Sequence, residues 1–121
     1  MTTAQIASRL VEFCRRGDYD AAHKELYAVN AVSIEPDSTP ETTVRGLAGL
    51  AEKSKMFADT FEVHGGSISD PVVAGSFFSC AMTADVTDKK SGVRFTLEEI
   101  CVFEVQDGKI VREQFFFPSR D

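Results

Sequence analysis

The sequence predicts an α+β domain in which three N-terminal helices lie on one face of a strongly curved, mainly antiparallel sheet. Three observations predict it. Apolar residues recur at helical spacing through the first half of the chain, strict two-residue alternation takes over after Gly75, and an Asp-Gly pair separates the last two alternating runs. At 121 residues the chain is long enough for one domain with its own core, and residues 1–121 show no repeat or linker that would divide it.

Thr2 and Gln5 have the spacing of a capping box, and Ile6, Leu10, Phe13 and Cys14 form one stripe behind it. Gly17 ends this helix, and Asp18 caps a second one over about Tyr19 to Tyr27, with Ala22 and Leu26 inward. The apolar run Ala31–Ile34 predicts a short strand closed by Glu35-Pro36, and Asp37 to Thr43 a polar loop. Leu47, Leu50, Ser54 and Phe57 share one side of a third helix over about Leu47 to Asp59, with Phe61 continuing that side. Gly65-Gly66 and Asp70-Pro71 punctuate an extended region. Phe78, Cys80, Met82, Ala84 and Val86 then form the apolar face of a long strand that turns at Asp88 to Gly92.

The final stretch, Val93 to Phe117, is a hairpin with acids inside an apolar alternation. A two-residue loop at Asp107-Gly108 would set odd positions of one strand opposite even positions of the other. A three-residue loop from Gln106 to Gly108 keeps odd opposite odd. Phe95, Leu97, Cys101, Phe103, Phe115 and Phe117 are all odd, and a slip of one residue would turn one strand's set outward, so the pattern selects the three-residue loop. That register pairs Cys101 with Glu113 and Glu99 with Phe115. Glu99 and Glu113 become diagonal neighbours, roughly 7–8 Å apart at the backbone.

The formal net charge of -6, with no basic run, argues against nucleic acid and anionic membrane surfaces. No apolar stretch reaches membrane-spanning length, and the first residues lack a signal-peptide core. Cys14, Cys80 and Cys101 are an odd number at wide spacing, which fits reduced thiols in a cytoplasmic protein. His23 and His64 are the only imidazoles and stand far from any cysteine pair, so no metal site is expected.

Gly17-Asp18, Leu26-Tyr27-Ala28, Ser33-Ile34-Glu35-Pro36, Val44-Arg45-Gly46 and Val105-Gln106-Asp107-Gly108-Lys109-Ile110 follow one another in an order that resembles the NTF2-like superfamily. Val63-His64-Gly65-Gly66, Leu97-Glu98-Glu99 and the run from Arg112 to Phe117 narrow the resemblance to SnoaL-like domain proteins, with steroid delta-isomerase a distant cousin. It covers about Gln5 to Phe117. The resemblance implies a cone-shaped α+β barrel closed at one end around a pocket, and a homodimer formed through the outer face of the sheet. It also implies a base at Glu35, before Pro36. The isomerase's oxyanion hole needs a Tyr and a protonated Asp where this chain has Leu10 and Cys101, so the resemblance argues against classical ketosteroid isomerisation.

Glu35, Glu99, Glu113 and His64 are therefore the candidate catalytic residues. Apolar surroundings and a like-charged neighbour would raise the pKa of Glu99 and Glu113 toward working pH. The plainer alternative pairs each with Arg45, Arg94 or Arg112, or sets it at a wet pocket mouth. His64, before Gly65-Gly66, is a candidate proton shuttle or a structural strand residue. Phe13, Phe57, Phe61, Phe78, Met82, Cys101, Phe103, Phe115 and Phe117 are candidate ligand-contacting residues, though most of these Phe would serve any α+β core. Ile100, Val102 and Phe116 form an apolar stripe on the opposite face, fit for a dimer interface. Two functions are expected from this: cofactor-free acid/base catalysis of isomerase, cyclase or hydrolase type on a small, largely apolar molecule, or capture of such a ligand without turnover. A dimerisation module of the same fold is a third.

Overall fold

The computed structural model describes residues 1–118. Three helices, α1 (Thr3–Arg15), α2 (Tyr19–Leu26) and α3 (Gly46–Thr60), pack on a sheet of seven strands: β1 (Tyr27–Ile34), β2 (Val44–Arg45), β3 (Phe61–Ile68), β4 (Val72–Ala74), β5 (Phe77–Asp88), β6 (Arg94–Gln106) and β7 (Lys109–Phe116). The expected capping box is present: Gln5 N–H donates to Thr2 Oγ1 and Thr2 N–H to Gln5 Oε1. Asp18 caps α2 through Ala21 N–H, and Gly17 supplies the left-handed residue between the two helices at φ +69°. No helix among the described residues is long and apolar enough to cross a membrane.

The strands run in the order β2-β1-β7-β6-β5-β3, with β4 also paired to β5. All neighbours are antiparallel except β1 and β7, which are parallel. The sheet is thus mixed and open, not closed into a barrel among the described residues. The first strand begins four residues earlier than its apolar run predicts, because α2 passes directly into it at Tyr27.

The final hairpin differs from expectation in an informative way. Gln106 pairs with Lys109 across a two-residue loop in which Asp107 and Gly108 both take positive φ, 51° and 74°. That is the loop whose twist matches the flanking strands. Val105 then pairs with Ile110 but Glu104 with Arg112, so Val111 is an extra residue bulged out of β7. The bulge restores odd-to-odd facing, as the pattern required, but shifts the partners by two. Glu113 lies opposite Phe103, Phe115 opposite Cys101, and Glu99 opposite Met82 on β5. Glu99 and Glu113 are therefore not diagonal neighbours. Their rows are four residues apart, about 13 Å along the strand.

The inner face and the helices share one core. Ile6, Leu10 and Phe13 of α1, Leu26 of α2 and Leu50 of α3 meet Phe78, Cys80, Cys101, Phe103 and Ile110 of the sheet. Phe78 and Phe103, opposite one another on β5 and β6, stack with centroids 4.6 Å apart.

Candidate functional site

Ser33 of β1, Glu113 of β7, Phe103 of β6 and Phe78 of β5 form one lateral row of the inner face. Glu113 is the charged member, only 5 % exposed. A carboxylate so placed needs hydrogen-bond partners, and both oxygens have one. The buried Tyr27 hydroxyl donates to Oε1, and the buried Ser33 hydroxyl donates to Oε2 at 2.6 Å. The partners are hydroxyls, not Arg45, Arg94 or Arg112. Arg94 instead pairs with Asp85, and Arg112 donates to Gln114.

Ser33 connects this buried carboxylate to the helix above. Lys53 of α3 donates to Ser33 Oγ at 2.7 Å and forms an ion pair with Glu35, Nζ to Oε1 at 2.5 Å, and its ammonium sits 4.2 Å from the centroid of Phe115. Lys53 falls on the helix face defined by Leu50 and Phe57, three residues after one and four before the other. Glu35 is fixed by the turn that ends β1, where its N–H donates to Ser38 Oγ and its carbonyl accepts from Ser38 N–H. Hydrogen bonds thus run from Lys53 through Ser33 and Glu113 to Tyr27, and the half-buried Glu35 joins them through its ion pair with Lys53.

The wall on the far side is α2. His23 meets the Tyr27 ring edge-on at 4.8 Å and feels the charges of Glu113 and Lys53, while Tyr19 feels Glu99 and the Cys14 thiol. Burial lowers the His23 pKa from its ordinary value, against the opposing pull of Glu113 and Asp20. Burial, with the Glu113 charge next in weight, raises the Tyr27 phenol well above its usual value, so it remains a hydrogen-bond donor. The thiols are held protonated by burial: Cys14 is pushed up to about 12, Cys80 to about 11, and Cys101 higher still. Cys101 donates to Met82 Sδ at 3.2 Å.

Of the residues singled out from sequence, Glu35 and Glu113 share this cluster, and Phe115 floors it. Glu99, Met82 and Cys101 lie on the same inner face, further along β5 and β6. Phe57, Phe61 and Phe95 form an aromatic run at the end of α3, with centroids 5.1 and 5.9 Å apart, and Phe57 and Phe61 are only partly covered. Phe13 is core beneath Arg9 and Arg16, and Phe78 and Phe103 are core. Phe117 is half-buried beyond the end of β7. His64 is exposed on β3 and hydrogen-bonded to Thr87 at 2.7 Å. Thr87 lies opposite Arg94, nine residues along β6 from the partner of Glu113, so His64 stands about 30 Å of strand from the cluster. Tyr27, Ser33, Lys53 and His23 were not singled out. The signals were a serine inside the apolar run Ala31–Ile34, a lysine on the apolar stripe of α3, and a His four residues before a Tyr. An open depression of about 420 Å³ along the outer side of α1, lined by Met1, Ala4, Gln5, Ser8, Arg9 and Glu12, holds none of these groups.

A test follows from the Tyr27 phenol. Held neutral in the fold, it contributes stability that is present below its unfolded pKa of about 10 and is lost as pH rises toward the higher folded value. Tyr27→Phe should cost about 1–3 kcal/mol at neutral pH in urea melts and flatten this alkaline loss. Phenolate absorbance of the folded protein should stay low near pH 10; full ionisation of both tyrosines there would contradict the burial of Tyr27.

The model of the SnoaL-like domain family matches residues 1–117. A SnoaL-like protein of Mesorhizobium loti that bears the name polyketide cyclase is 35% identical, superposes with a TM-score of 0.90, and matches over 97% of this chain and 100% of its own. An NTF2-like protein of Burkholderia thailandensis shares the fold at a TM-score of 0.84 and 19% identity, over 98% of this chain and 92% of its own. A Bacillus subtilis protein bearing the name isomerase shares it at 0.71 and 20%, over 98% and 90%. No curated protein matches the chain. The chain belongs to the SnoaL-like family, and its fold is NTF2-like.

Proposed function

We propose that the inner face beneath α2 and α3 takes a small, largely apolar molecule and carries out cofactor-free acid/base chemistry beside a carbonyl-type oxygen. The observation that carries this reading is the half-buried Lys53–Glu35 pair at the end of a buried hydrogen-bonded chain. Lys53 donates one N–H to Ser33 and lies in ion contact with Glu35, which leaves an N–H for a ligand oxygen, where its charge would stabilise a developing oxyanion. Glu35 is the base, within reach of a carbon held beside that oxygen. Glu113, Tyr27 and Ser33 position Lys53 and can return a proton along the chain. Glu99, further along the same face, is a second acid for the far end of the molecule. Phe115 and the Phe57, Phe61 and Phe95 run offer apolar surface. Isomerase, cyclase and hydrolase types all fit this division of labour, and the names of the M. loti and B. subtilis relatives support a small-molecule pocket.

Binding without turnover is the second reading, favoured by one observation: both Glu113 oxygens and one of Glu35 are already engaged. Exchange of the α-hydrogens of 2-tetralone in deuterated buffer separates the two. Catalysis predicts exchange accelerated over buffer and reduced on the order of a hundredfold by Glu35→Gln. Exchange at the buffer rate, with the ketone nevertheless shifting Lys53 and Phe115 resonances, would leave binding alone.

The outer face supports a homodimer. Ile100 and Phe116 face one another across β6 and β7 at 48 % and 47 % exposure, next to Val102. Sedimentation should give a dimer that Phe116→Glu converts to monomer; a monomeric parent protein would contradict it. Three free thiols support placement in the reducing cytoplasm.

A further inference from the structure

The polar groups of the Glu113 cluster satisfy one another, and His23 stands apart from them. Its ring is half-buried against Tyr27, yet neither ring nitrogen has a hydrogen-bond partner among the described residues. The charged groups that act on it come from three elements: Glu113 from β7, Lys53 from α3, and Asp20 from the preceding turn of α2. Tyr27 of β1 presents its ring rather than its hydroxyl, which is committed to Glu113. An imidazole in this position is a neutral group at neutral pH, with one nitrogen able to accept a hydrogen bond. The remaining N–H of Lys53 supplies a donor, and the Glu113 oxygens are taken up by Tyr27 and Ser33. On the α2 wall the acceptor that lies against Tyr27, beside Glu113 and Lys53, is the His23 imidazole.

We infer that His23 holds a hydroxyl of the ligand, its neutral imidazole accepting the O–H hydrogen, so that the site selects small apolar ring compounds that carry a hydroxyl. The inference rests on the inner-face pocket proposed above and adds to it the ligand class and a pH dependence. Protonation removes the acceptor and sets a second cation near Lys53. Occupancy by a hydroxylated ligand therefore weakens as pH falls through the lowered His23 pKa, while an unsubstituted ring is indifferent to it.

Two probes test this, 2-naphthol and naphthalene, titrated into the full-length protein with binding followed by NMR. With the parent protein, 2-naphthol should bind more tightly than naphthalene at neutral pH, and its advantage should shrink by roughly tenfold for each pH unit below the His23 pKa. The chain has only two histidines, so the His23 ring resonances report that pKa directly. His23→Gln, which keeps an acceptor but does not titrate, should retain the preference and lose its pH dependence. His23→Phe should abolish the preference. A preference for 2-naphthol that is the same at every pH in the parent protein would overturn the inference without needing either variant to fold. Equal binding of both probes would overturn it while leaving the pocket standing. Failure of both to shift any inner-face resonance would remove the pocket and this inference together.

Discussion

The structure depends on how a carboxylate is kept in the row that joins β1 to β7. Taking Glu113 out of water costs several kcal/mol unless its oxygens are hydrogen-bonded. Tyr27 and Ser33 meet that requirement from β1, the strand that pairs with β7 in parallel. This constraint explains why α2 runs straight into β1 at Tyr27, bringing a phenol to the carboxylate. It also accounts for the Val111 bulge, without which Glu113 would turn to the outer face and Ser33 would lose its partner. The nearest cation does not touch Glu113. Lys53 reaches it through the Ser33 hydroxyl, leaving the ammonium half-exposed and shared with Glu35.

That indirect pairing has consequences for chemistry. A direct Lys–Glu113 bridge would have drawn the ammonium into the buried row. The Ser33 relay instead leaves Lys53 at the boundary, over Phe115, with a donor to spare. The Lys53–Glu35 contact is partly solvated and adds little to stability. Its effect is geometric, since it sets a carboxylate and an ammonium side by side at the edge of the buried row. The nearby thiols do not compete: burial keeps Cys14, Cys80 and Cys101 protonated, and they belong to the packing of the core.

Much of the fold was legible because its signals are local. Thr2 with Gln5, Gly17 with Asp18, and the alternating apolar sets of β5 (even-numbered) and β6 (odd-numbered) each carry their structure within a few residues. The loop at Asp107-Gly108 was harder. Parity alone cannot distinguish a three-residue loop from a two-residue loop followed by a bulge, because both return odd to odd. The two differ by one row, and that row decided whether Glu113 lay opposite Cys101, diagonal to Glu99, or opposite Phe103. The site was only partly legible for a different reason. Glu113 stands out as an acid in an apolar alternation and Glu35 through the resemblance, but Tyr27, Ser33, Lys53 and His23 acquire meaning only through the parallel β1–β7 pairing and the packing of α3. Neither leaves a mark at short range.

The central claim is that the Glu113 carboxylate is held by hydroxyls and coupled through Ser33 to Lys53. A double-mutant cycle on stability with Ser33→Ala and Glu113→Gln, measured by urea unfolding at neutral pH, addresses it most directly. Groups in one hydrogen-bonded network couple by about 0.5–3 kcal/mol, and the account predicts a value of at least about 1 kcal/mol for this pair. Additive effects of the two substitutions would show that Ser33 and Glu113 act independently, and would contradict it.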